Sequence, residues 1–152
     1  MLRYWLLGSG LVLSLAVTAA EPGVRAQFVG GTLAGVRVKS TTRLDLTGAD
    51  NLLLRSGTNE LSIAYQRINT LEYGQNVSRR YAAAILISPL LLLSKSHKHF
   101  LTIGYVDTDG RQQALVFRVE KGDIRSVLAG LEARTGRRIE YQDAEARKAA
   151  KG

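Results

Sequence analysis

Residues 100–120 read FLTIGYVDTDGRQQALVFRVE, two runs of alternating apolar residues on either side of an Asp-Gly pair. Asp-Gly between such runs is a strong hairpin signal, because glycine accepts the positive φ that a tight two-strand turn demands. Leu101, Ile103 and Tyr105 share one face of the first arm, and Leu115, Phe117 and Val119 share one face of the second. A period of two with one apolar face commits this stretch to antiparallel sheet. The upstream chain repeats the pattern in shorter pieces. Val36 and Val38 alternate, as do Leu44 and Leu46, and LLLR (52–55) and ELSIAY (60–65) flank the turn residues SGTN. The cluster GADN (48–51) marks another bend, since Gly, Asp and Asn tolerate the backbone angles of tight turns.

Downstream of the hairpin the period changes. In KGDIRSVLAGLEARTG, Ile124, Val127, Leu128 and Leu131 fall at i, i+3, i+4 and i+7, one apolar stripe of a helix. Asp123 is positioned to accept first-turn amides as an N-cap, and Gly136 stands where a left-handed stop is expected. A short extended piece at Arg138 to Tyr141 follows. The remaining tail is polar and alanine-rich; it can turn helical but has little to bury, so fraying is expected.

Several short strands closed by one amphipathic helix carry a resemblance. IAYQRINTLEYG (63–74), then SKSHKHFLTIGYVDTDGRQQALVFRV (94–119), then the closing helix, resemble the pleckstrin-homology-like superfold, especially its small bacterial members. In those, a strand ending in a Tyr-x-x-Ile step leads to a sheet crossing, a lysine-rich turn precedes a hairpin, and a C-terminal helix plugs one end of a barrel. The resemblance spans about residues 31–136. It implies a mainly β fold with α, a small antiparallel β-barrel or sandwich capped by the amphipathic helix. Such domains host lipid binding, peptide binding and scaffolding, so the fold alone implies no activity. The chain departs from the pattern in a long apolar insert and in a leader that directs export.

That leader is MLRYWLLGSGLVLSLAVTAAEPGVRAQ: one basic residue, Arg3, an apolar stretch from Tyr4 to Val17, then small residues at Thr18 to Ala20. The order is that of a secretory signal peptide. Cleavage is expected after Ala20, or as late as Ala26, both of which have a suitable residue two positions earlier. A retained membrane anchor is the lesser alternative, because anchors need about 20 apolar residues. The expected organisation is a signal peptide over 1–20, a β domain over 28–141 with its helix at 123–135, and a polar tail over 142–152. The location is then periplasmic or secreted. The chain has 21 basic and 13 acidic residues, a net charge of +8, and +7 without Arg3. A basic exported domain is drawn to anionic surfaces. There is no cysteine, so thiol catalysis, cysteine metal sites and disulfides are excluded.

AAAILISPLLLL, Ala82 to Leu93, is the longest apolar run outside the leader. It is too short to cross a bilayer core of about 30 Å as a helix, and Pro89 interrupts it. Two readings remain: a buried crossing segment, or a loop whose Leu90, Leu91, Leu92 and Leu93 touch lipid. Arg79, Arg80, Lys95 and Lys98, joined by His97 and His99, bracket the run as a candidate anion- or lipid-binding rim, since long basic side chains beside apolar ones suit a membrane interface. The bland reading of these charges is a solvated turn. His97 and His99 would share a side of an extended chain, but no third ligand completes a metal site. DTDG (107–110) does not fit a calcium loop, because the aligned terminal positions fall on Tyr105 and Val116.

The resulting expectation is an exported, non-enzymatic binding or scaffolding module of the cell envelope, with no catalytic residues, metal or cofactor. Its partner would be an anionic lipid or an envelope protein, with no transmembrane span in the mature chain. Nucleic acid is disfavoured by export and by the lack of a basic strip interleaved with aromatics. The alternative is a small envelope hydrolase using two carboxylates, from among residues such as Asp45, Asp50, Glu60 and Glu72, or a serine and a histidine.

Overall fold

The computed structural model describes residues 20–32, 37–75, 77 and 99–151. Residues 1–19 of the expected signal segment (1–20) and the apolar run Ala82 to Leu93 lie outside the described residues. Among the described residues there are eight strands: β1 (Val24–Gly31), β2 (Thr41–Asp45), β3 (Asn51–Ser56), β4 (Asn59–Ala64), β5 (Ile68–Gly74), β6 (Phe100–Val106), β7 (Gln112–Val119) and β8 (Glu140–Tyr141). Two helices follow the hairpin, α1 (Ile124–Thr135) and α2 (Ala144–Lys151). No described helix is long and apolar enough to cross a membrane.

Both anticipated hairpins pair. Leu101 lies opposite Phe117 and Ile103 opposite Leu115 across β6 and β7, while Leu54 faces Leu61 and Leu52 faces Ile63 across β3 and β4. The β6–β7 turn is built as its residues suggest. Gly110 takes φ +80°, and the Asp107 carboxylate accepts the Asp109 and Arg111 amides at 2.9 Å.

The strands form one sheet in the order β4-β3-β2-β1-β7-β6-β5-β8. This corrects the expected antiparallel barrel in two respects. The hydrogen-bonded order has two free ends, so the sheet is not closed into a barrel, and β8 joins β5 in parallel, so the sheet is mixed. It is nevertheless strongly curled. β4 and β5 stand six positions apart in the sheet, a separation of about 29 Å if it were flat, yet only the 3-10 turn Tyr65–Arg67 connects them. That connection reaches about 14 Å at full stretch. The two flanks must therefore bend toward each other around the core.

α1 packs against that connecting turn, and its stripe is buried as expected: Ile124, Val127, Leu128 and Leu131 are each at most 3% exposed and join the main core. Gly136 ends the helix at φ 68°, donating its amide to Glu132 O at 2.9 Å. The N-cap differs from expectation. The Asp123 side chain makes no capping bond; instead Glu120 O accepts the amides of both Asp123 and Ile124.

Three further features depart from the sequence reading. β1 begins at Val24, upstream of the expected domain start, and pairs with both β2 and β7 at the centre of the sheet. Cleavage after Ala26 would remove its first three residues. The polar tail is a docked helix: Asp143 caps it by accepting the Ala146 amide at 2.6 Å, Ala146 is fully buried, and Ala149 and Ala150 pack on the core. Finally, the middle of the sheet is buried on both faces. Phe28 and Phe117 meet edge-on in the main core at 5.7 Å. On the opposite face Val29, Phe100, Ala114 and Val116 form a second cluster, with Val77 packed against it and Thr102 buried beside it.

Candidate anion-binding surface

That second face changes character along the strands. Glu72, Thr102, Val116 and Gly30 follow one another in register across β5, β6, β7 and β1, and all four are buried. One step along, Arg118 on β7 lies opposite Gln27 on β1, which lies opposite Thr41 on β2. The next step is a row of arginines: Arg25 on β1 faces Arg43 on β2, which faces Arg55 on β3, which faces Glu60 on β4. Period two places all of these on one side of the sheet, because residues i and i+2 share a face.

Three guanidiniums in direct register on neighbouring strands repel, since strands stand about 4.8 Å apart and like charges set opposite each other destabilise a sheet. Two of them are compensated within the protein. Arg55 donates to Glu60 at 2.9 Å and to Asp45 at 3.2 Å. Arg43 pairs with Glu21 at 3.1 Å and also donates to the Glu21 backbone carbonyl. Arg25 and Arg118 are exposed and have no ion pair or side-chain hydrogen bond among the described residues. Two adjoining clefts of about 340 and 280 Å³ open along these rows, and both are lined by Arg25 and Glu120.

Asp45 anchors the compensated end. It is 5% exposed and accepts the Thr47 hydroxyl at 2.6 Å and the Thr47 amide at 2.9 Å. These bonds, with the Arg55 guanidinium, outweigh burial and hold its carboxyl below the ordinary range. A carboxylate depressed in the folded state contributes stability above its unfolded value of about 3.9 and loses it as pH falls through the folded value. The melting temperature of the wild-type chain is therefore expected to fall more steeply below pH 4 than that of Asp45→Asn. Parallel slopes for the two proteins would contradict this assignment.

Of the rim residues expected from sequence, Arg79, Arg80, Lys95, His97 and Lys98 lie outside the described residues, as do Leu90 to Leu93. His99 is described. It precedes β6, stacks on Tyr73 with ring centroids 5.4 Å apart, and sets Nε2 3.8 Å from Asp143 Oδ1. That nitrogen is buried without a hydrogen-bond partner, beyond bonding reach of a carboxylate already committed to capping α2. His99 thus belongs to the joint between the sheet end and α2. Among the described residues no group of three or more His, Asp or Glu side chains could hold a metal ion.

The arginine rows were missed from sequence. Each strand carries its arginine at an outward position, in VRAQF, TTRLD, LLLRS and VFRVE, so the parity was readable. The register that aligns them was not. Compared with known proteins, the chain matches no family model and no curated protein.

Proposed function

We propose that the chain is an exported, non-enzymatic binding module of the cell envelope that attaches to an anionic membrane face. The observation that carries this reading is the alignment of Arg25, Arg43 and Arg55 in one row with Arg118 beside it, two of the four making no ion pair among the described residues. A sheet that sets like charges opposite one another gives up stability, and an external anion returns it. The net charge of +8 adds long-range attraction of the same sign. The pleckstrin-homology-like assignment belongs to the same proposal. It is supported by the antiparallel meanders and by the helix that packs on the β4–β5 turn. Export rests on the leader, residues 1–20. Of the carboxylates considered for a hydrolase, Asp45 and Glu60 are both engaged by Arg55.

Co-sedimentation with vesicles tests the reading. The chain is expected to pellet with vesicles of phosphatidylcholine containing phosphatidylglycerol and to stay in solution with phosphatidylcholine alone. Raising salt from 0.1 to 1 M should release it, because the screening length falls from about 10 to 3 Å. Equal binding to both vesicle types, or binding indifferent to salt, would refute the proposal.

A further inference from the structure

We propose that Arg25, Gln27, Thr41 and Arg118 form a discrete binding site for a terminal phosphate monoester. This deepens the membrane reading by naming the chemical group recognised, and it rests on that reading only for the lipid source of the group.

The four residues come from three adjacent strands. Gln27 lies opposite Thr41 on one side and opposite Arg118 on the other, and Arg25 is two residues from Gln27 on the same face of β1. All four line one cleft of about 280 Å³. None of their side chains makes a hydrogen bond or ion pair among the described residues, so two guanidiniums, an amide and a hydroxyl line the cleft with their donors free. Glu120 also lines the cleft but pairs with neither arginine, which leaves both cations open and one rim acidic.

Donors approaching from three strands match a tetrahedral oxyanion better than a planar carboxylate, which offers oxygens along one edge only. Guanidinium groups bind phosphate oxygens in pairs. A phosphate monoester carries about −1.5 to −2 charge near neutral pH and three terminal oxygens, enough to neutralise both Arg25 and Arg118. A diester carries a single charge and only two terminal oxygens, so it leaves donors of the site unmatched. The neighbouring Arg43 is held by Glu21, and Glu120 and Asp123 line the adjoining cleft, so Arg25 and Arg118 supply the positive charge of the site.

Titration calorimetry of the full chain with inorganic phosphate provides the test. Saturable binding of one equivalent is expected. Arg25→Gln and Arg118→Gln should each weaken it about tenfold or more, the loss of one charge-assisted hydrogen bond, whereas Lys121→Gln, which lies outside the cleft, should not. All three positions are exposed, and matching melting temperatures would establish that the variants fold. Vesicles containing phosphatidic acid, which ends in a monoester, and vesicles containing phosphatidylglycerol, a diester, separate the sources. Preference for phosphatidic acid that is lost in Arg25→Gln assigns the site to a lipid headgroup. Phosphate binding without that preference assigns it to a soluble phosphate ester, and the site then stands apart from the membrane reading, which fails only if phosphatidylglycerol vesicles also bind no better than phosphatidylcholine alone. Phosphate binding that never saturates, or that both variants retain, overturns the site, even if vesicle attachment persists.

Discussion

Leu131→Asp is expected to leave the chain unfolded at room temperature. Leu131 is 1% exposed and is the last residue of the stripe by which α1 seals the curled sheet. Truncating such a leucine to alanine alone costs about 2–5 kcal/mol. A carboxylate at the same place adds the penalty of a buried charge without a partner, several kcal/mol more unless it takes up a proton. Domains of this size are stable by only about 5–15 kcal/mol. Ala129→Asp, on the exposed side of the same helix, should cost no more than about 0.7 kcal/mol, the span of ordinary helix propensities. Far-ultraviolet circular dichroism and thermal melting distinguish the two. A cooperative transition near the wild-type temperature in Leu131→Asp would mean that the stripe does not face the core.

Val116→Asp carries the second large effect. Val116 neighbours Phe117 in β7 and points to the opposite side of the sheet, so a sheet with one buried face would leave it in water and tolerate the change. Here it is 0% exposed, between Thr102 on β6 and Gly30 on β1, within the cluster of Val29, Phe100 and Ala114. The aspartate would bury a charge with no cation in direct register, and destabilisation by more than about 3 kcal/mol is expected. Arg118→Asp, two residues along the same face, should change stability by less than about 1 kcal/mol, because that position is solvated. Equal and small effects at both positions would show that the apolar end of this face is open to solvent.

The contrast between these two positions marks where sequence reading reached its limit. The β6–β7 hairpin was legible because its turn is local: Asp107, Gly110 and the alternation around them lie within a few residues. The α1 stripe was legible for the same reason, and Gly136 stops the helix with the angle that only glycine adopts freely. β1 was not recognised, because Val29, Gly30 and Gly31 break the alternation begun by Ala26 and Phe28, and its register shifts between Phe28 and Gly30. Two-sided burial did leave a trace in the unbroken run Ala114 to Phe117, a pattern typical of strands covered on both faces. The docking of α2 was hidden because alanine is a weak signal. The helix packs against α1, β8 and β5, and of these α1 and above all β5 are remote in sequence. The barrel was expected from a resemblance of local pattern, whereas closure depends on whether β4 and β5 pair, and they do not. The arginine rows needed the register of four strands before any of them could be seen as neighbours.

In the proposed attachment, the side of the sheet bearing Arg25, Arg43 and Arg118, rather than the basic residues of the helices, meets the anion. Arginine-selective chemical modification read by peptide mass spectrometry, with and without vesicles containing an anionic phospholipid, measures this at each position. Protection at Arg25, Arg43 and Arg118, with Arg125, Arg134 and Arg147 unchanged, is the expected result. Protection confined to the helix arginines, or spread evenly over all six, would contradict the account.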